Sequence, residues 1–331
     1  MIFEKDRLLP YFKKYLGTFL FVEFSKEFMQ KLHIEDIADG VRVPIKPYDL
    51  EKFAGGEGVS ATNIAENMVV VMGLDPNFKY NDSYKEYIKR FFDDKLLSDI
   101  LMAGVKSVEA GDLDMAAVNF RAALCIKKDF LEALYNYARV CREVYMSIDS
   151  EVDMEKKGNY KAEMIDALEE LTIAYPDFAE PYYFLGYSYL NMGLYEKAGL
   201  VFEKFMKLSK DEEALTDVAK KLSDLVEPRK IEEGTNYVIS GNYEKGLELL
   251  LPFMSGKYES WWPLHFYLGI AFEETGSDIM AVMEYKKTLE LNALCIDAID
   301  GLIRIYDAAS DDENVEKYTK KKQIIIETYT N

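Results

Sequence analysis

Residues Glu180–Phe205 read EPYYFLGYSYLNMGLYEKAGLVFEKF, and this stretch decides the fold. Apolar residues recur at helical spacing on both sides of the short turn Asn191-Met192-Gly193. Leu185, Gly186 and Tyr189 share one face of a first helix; Ala198, Phe202 and Phe205 share one face of a second. Gly186 and Ala198 stand where bulky side chains would hold the two helices apart. Such a hairpin cannot bury its own apolar surface, so it needs neighbours of the same kind.

Those neighbours can be followed along the chain through the small residue of each first helix: Gly104, Ala138, Gly186, Gly234, Gly269 and then the position of Ile303. By subtraction the intervals are 34, 48, 48, 35 and 34 residues. Both long intervals exceed the short one by 14, which points to two insertions. One is expected at Tyr145–Lys157, as a polar, elongated connection. The other is expected at Asp211–Val226, as an extra amphipathic helix or a long extension ahead of Pro228. The second helices supply the other half of the pattern. GDLDMAAVNF (Gly111–Phe120), GLYEKAGLVF (Gly193–Phe202), GNYEKGLELL (Gly241–Leu250) and GSDIMAVMEY (Gly276–Tyr285) superimpose without gaps. In each a glycine ends the first helix, a small residue allows close approach, and a bulky residue four positions later fills the space between. Ala174-Tyr175-Pro176 marks the end of another second helix, and the unit from Cys295 to Thr328 ends in a polar, lysine-rich helix suited to a terminal cap.

A repeat of about 34 residues with these small and bulky positions resembles the tetratricopeptide repeat family. The resemblance covers roughly two-thirds of the chain. It implies an all-α fold: an α-α superhelix of five or six tetratricopeptide-like helical hairpins over residues 96–331, following a helical N-terminal domain at residues 1–95. The family lines its concave surface with first helices. Carried over position by position, that surface has Leu101 and Val105, then Tyr135, Arg139 and Arg142, then Tyr183, Tyr187 and Asn191. Thr235 and Val238, Phe266, Ile270 and Glu273, and Asp300 and Arg304 complete it. The chaperone-binding members hold a C-terminal carboxylate with lysines and asparagines. Here only Asn136 is suitably placed, with Leu101, Val105, Glu180 and Phe184 at the other positions, so that clamp is absent.

The N-terminal part does not follow the repeat. Tyr11–Lys31 reads as one helix, with Phe12, Tyr15, Leu16, Phe19, Val22, Phe24 and Phe28 around so much of it that burial is expected. Asp39–Ser60 reads as extended backbone and turns, because Pro44 and Pro47 lie three residues apart and Gly55-Gly56-Glu57-Gly58 follows. A helix then starts at Ser60, a good N-cap, and runs through Ile64, Met68 and Val71 to Gly73. Asp75-Pro76-Asn77 makes a turn, and a third helix spans Asp82 to Phe92.

Composition narrows the function classes. A net charge of −19 repels phosphate backbones, so no nucleic-acid partner is expected. No stretch reaches the ~20 apolar residues of a membrane span, and no signal peptide is recognisable. Cys125, Cys141 and Cys295 are odd in number and far apart, which reads as buried thiols in a cytoplasmic protein.

Two histidines leave little room for a metal site or a catalytic triad. His265 reads as a core residue and His33 as a helix-end residue. The Gly55–Gly58 run lacks the ending of a phosphate loop, and the acidic clusters Asp93-Asp94, Glu212-Glu213 and Asp311-Asp312-Glu313 read as helix starts. Trp261-Trp262-Pro263 reads first as a plug between repeats and second as a pocket wall. No catalytic residue, metal or cofactor is assigned.

The expected function is therefore that of a non-catalytic interaction scaffold. It would bind a protein or peptide segment through Tyr135, Arg139, Arg142, Tyr183, Tyr187, Asn191, Phe266, Ile270 and Arg304. Self-association would run through the N-terminal domain. The alternatives are a peptide-responsive regulator in which the array controls residues 1–95, and an enzyme with its site in those residues. A further possibility is that the N-terminal helices already fill the groove.

Overall fold

A computed structural model of the chain describes residues 3–49, 60–92, 95–149 and 151–329. The chain parts into two compact units, Met1–Leu185 and Gly186–Asn331, with the division inside one helix.

The first unit opens with α1 (Leu9–Leu16), β1 (Leu20–Glu23), α2 (Lys26–Leu32), α3 (Glu35–Ala38) and β2 (Arg42–Ile45). The single helix expected over Tyr11–Lys31 is therefore corrected to helix, strand, helix. Gly17 ends α1, and the Ser25 hydroxyl accepts the Phe28 N–H to start α2. The β-prone run between them pairs antiparallel with β2, in the register Leu20↔Ile45 to Glu23↔Arg42. Two strands therefore supplement the all-α fold. β2 falls in the stretch expected to be extended, and Pro44 fits there because a two-stranded ribbon leaves part of its backbone unpaired. The Gly55–Gly58 run and Asp93-Asp94 lie outside the described residues.

α4 (Ala61–Leu74) starts where expected, with the Ser60 hydroxyl accepting the Asn63 N–H. After the turn at Asp75–Asn77 comes α5 (Asn81–Phe91). Hairpins follow: α6 (Lys95–Glu109) with α7 (Leu113–Ile126), then α8 (Leu131–Ser147) with α9 (Met154–Ala174). The connection expected at Tyr145–Lys157 is shorter than that, because helix runs to Ser147 and starts again at Met154. The long interval arises because α8 has 17 residues and α9 has 21. α4 packs on α7 so closely that a Cβ on Gly73 would lie 2.0 Å from the Val118 carbonyl oxygen.

α10 (Ala179–Leu190) carries the division between the units, and α11 (Tyr195–Leu208) follows it. α12 (Glu212–Ile239) is a single helix of 28 residues that merges the second insertion with the next first helix. It runs on through Pro228, which has no N–H to donate. Beside this gap Arg229 donates from Nε and Nη2 to Glu196 at 2.8 and 2.9 Å, and from Nη1 to Glu203 at 2.7 Å. α13 (Tyr243–Leu250), α14 (Trp262–Glu274) with α15 (Asp278–Leu291), and α16 (Ile296–Ala308) with α17 (Asp312–Tyr329) complete the second unit.

The interlock inferred from sequence is present in these pairs. Gly111, Gly193, Gly241 and Gly276 all have positive φ, between 72° and 83°, a conformation that spares only glycine a steric cost. Phe120, Phe202, Leu250 and Tyr285 are fully buried. Their side chains fill the notches at Gly104, Gly186, Gly234 and Gly269, where an added Cβ would come within 2.2–2.8 Å of them. The Tyr285 ring also meets Gly301 of α16, so one ring fills notches in two helices. The helix pairs are tetratricopeptide-like.

Candidate functional site

Both faces of α8 are in use. One face holds the N-terminal segment. Arg121 on α7 is fully buried between the rings of Phe3 and Phe12, each 5.1 Å from its guanidinium, and its Nη2 donates to Asp6 at 2.6 Å. The other Asp6 oxygen accepts the N–H groups of Leu8 and Leu9 at the start of α1. Arg7 donates to Glu163 and Asp166 of α9 at 3.1 and 2.6 Å. From α8, Tyr137 donates to the second Glu163 oxygen at 2.7 Å. Burial pushes the Glu163 carboxyl up, against the Tyr137 hydrogen bond and the nearby Arg121 charge.

The other face of α8 lines a pocket of about 250 Å³. Tyr135, Ala138, Arg139 and Arg142 come from α8, Met164 and Leu168 from α9, and Phe184 from α10. The Arg139 guanidinium lies 5.7 Å from the Tyr135 ring centre and that of Arg142 lies 5.2 Å from the Phe184 ring centre. Both arginines are exposed; Tyr135 and Phe184 are half-buried, and burial raises the Tyr135 pKa. Tyr135 also packs edge-on against Phe178, at 5.2 Å. Among the described residues the N-terminal segment makes its contacts away from this pocket, with Arg121, Tyr137, Glu163 and Asp166 among its partners.

Three of the expected binding residues, Tyr135, Arg139 and Arg142, thus converge. Tyr183, half-buried, meets Phe184 edge-on, and the pocket is lined by Phe184 instead. In the second unit the Tyr187 hydroxyl donates to Asp217 of α12 and its ring packs on Phe202. Asn191 is exposed at the end of α10. Phe266 and Ile270, both half-buried, pack against the core of that unit. Arg304 donates to both Glu273 oxygens, at 2.8 and 2.9 Å, and Glu273 also accepts the Tyr285 hydroxyl. Lys322 is paired with Asp300. Val238 belongs to the core: it is 3% exposed and packs into the notch at Gly246.

The two histidines and three cysteines lie outside the pocket. His265 places Nδ1 2.6 Å from Glu284 and Nε2 2.8 Å from the Glu259 carbonyl, so both ring nitrogens face acceptors. The Glu284 hydrogen bond raises its pKa. His33 caps α2 with left-handed backbone. Cys141 and Cys295 are buried and Cys125 is half-buried; burial pushes the Cys125 thiol up to about 11. The tryptophan pair divides between its two readings. Trp262 packs on the core, whereas Trp261, 37% exposed, lines a pocket of about 340 Å³ with Tyr195 and Tyr258. Among the described residues no group of three metal-ligating side chains occurs, and no helix is long and apolar enough to cross a membrane.

Sequence reasoning missed Phe184, Met164 and Leu168. A signal for two of them existed. In the reference hairpin the second-helix residues lie 12 and 16 positions after Gly186, at Ala198 and Phe202. Adding the excess of 14 leads from Ala138 to Met164 and Leu168.

No protein-family model matches the chain, and no match is found among curated proteins. Solved structures similar to it include the TPR domain of P58(IPK), with 13% identity, 98% of each chain covered and a TM-score of 0.39. A tetratricopeptide repeat protein from Parabacteroides merdae ATCC 43184 has 15% identity over 89% of this chain and 93% of its own, with a TM-score of 0.33. MamA from Desulfovibrio magneticus RS-1 has 16% identity over 59% of this chain and 97% of its own, with a TM-score of 0.31. The hairpin geometry described above stands on this chain's own contacts.

Proposed function

We propose that this protein is a non-catalytic interaction module that receives a peptide segment of a protein partner on the α8 face bearing Tyr135, Arg139 and Arg142. One observation carries the reading. A rigid aromatic, two exposed guanidiniums and an apolar floor converge on one pocket. Aromatic side chains give contact area at low entropic cost, and arginines stacked on rings are oriented before a partner arrives. The test is co-purification from the native cell with wild-type bait and with the pair Arg139→Glu and Arg142→Glu. Loss of the specific partner at unchanged helical circular dichroism is expected. Retention of every partner by the double variant would refute the assignment.

A regulatory role is favoured by a different observation: Tyr137 and Tyr135 place the N-terminal segment and the pocket on two faces of α8. In that reading an occupied pocket changes the hold on Phe3–Phe12. Protease sensitivity of the first twelve residues, compared with and without a bound peptide, distinguishes a regulator from a passive scaffold.

A further inference from the structure

The chain contains eight arginines, and six are ion-paired: Arg7, Arg42, Arg90, Arg121, Arg229 and Arg304. The remaining two, Arg139 and Arg142, have no carboxylate partner among the described residues, and both lie on the rim of the same pocket. This is so in a protein with 59 acidic and 40 basic residues, where carboxylates are plentiful. Each guanidinium lies instead over a ring, Arg139 over Tyr135 and Arg142 over Phe184, which leaves its N–H groups unspent. Glu143 shares the rim and forms no ion pair with either. Below the rim, Ala138, Met164 and Leu168 offer an apolar floor.

From this arrangement we infer that the pocket takes an acidic–apolar peptide: a segment that seats one bulky apolar side chain on the Met164–Leu168 floor and carries carboxylates within a few residues of it for Arg139 and Arg142. The inference deepens the peptide-binding reading above and rests on it. Carboxylates are the natural ligands of two such forks, because charge-assisted pairs are about twice as strong as neutral hydrogen bonds. A side chain of phenylalanine or leucine size suits a 250 Å³ pocket with a thioether in its floor. A chain-terminal carboxylate is not required. The one asparagine placed to help hold one, Asn136, spends its amide on the Glu132 carbonyl at 2.7 Å.

The test uses the full chain and a fluorescein-labelled, C-amidated nonapeptide with one phenylalanine between two pairs of glutamates, read by fluorescence anisotropy. Saturable binding is expected. Glutamine in place of all four glutamates, or Arg139→Gln with Arg142→Gln in the protein, should each weaken it by about tenfold or more. Alanine in place of the phenylalanine should weaken it similarly, and added salt should weaken the acidic peptide much more than its glutamine counterpart. Equal affinity for the glutamate and glutamine peptides would overturn the acidic preference while leaving a peptide pocket in place. If neither peptide responds to Tyr135→Ala or to the arginine variants, the peptide-binding reading falls as well. Binding that survives only with a free C-terminal carboxylate would overturn the proposal in favour of chain-end capture.

Discussion

Gly186 shows how much of this fold is set by single atoms. A Cβ there would lie 2.2 Å from the Phe202 ring, so Gly186→Ala must push a fully buried phenylalanine out of its notch. The expected loss is about 1–3 kcal/mol, the usual range for overpacking. Phe202→Ala leaves the notch empty and should cost about 3–5 kcal/mol. Because both changes act on one contact, the double variant should cost less than their sum, as read by urea denaturation of all three. Strict additivity would show that the two residues do not share a notch. His265 provides a pH test at the same scale. Glu284 holds the imidazole pKa above its ordinary value of 6.5, so the pair's contribution is complete below about pH 6.5 and is lost as pH rises through the elevated folded value. Melting temperature measured from pH 6 to 9 should therefore fall more in wild type than in Glu284→Gln. Parallel curves would contradict a cationic His265.

At the scale of the element, the repeat was legible because each hairpin states its own geometry. Glycines at the four turns and small residues at the four notches are local signals that tertiary context did not override. The stretch from Tyr11 to Lys31 was misread because its apolar residues also satisfy a helical period. Its stop at Gly17 and start at Ser25 were present in the sequence, but only pairing with residues 42–45 reveals the strand between them. Long-range partners of this kind leave no periodic trace. The same holds for Asp6 and Arg121, which lie 115 residues apart. Removing the carboxylate strands a guanidinium that is 0% exposed, so Asp6→Ala should destabilise the first unit by about 3–5 kcal/mol. Thermal unfolding with fluorescence detection would check this. An unchanged transition would mean that the N-terminal segment is an ornament and not part of that unit's core.

For the molecule as a whole, composition gave the electrostatic setting but not the site. The excess of acidic residues argued against a nucleic-acid partner, yet nothing in the sequence indicated which arginines would be spent on internal carboxylates. Arg304 and Arg139 occupy equivalent expected positions; folding ties Arg304 to Glu273 and leaves Arg139 without an acid. Family spacing found three of the pocket residues, and their availability could be read only from three-dimensional pairing.

The most direct test of the central claim is an arginine Nε–Hε NMR spectrum of the full chain during titration with the acidic phenylalanine peptide. The eight signals would be assigned by single Arg→Lys substitutions. Saturable shifts confined to Arg139 and Arg142 are the result expected. A spectrum in which those two stay fixed while the peptide binds, or in which Arg229 and Arg304 move instead, would contradict the account.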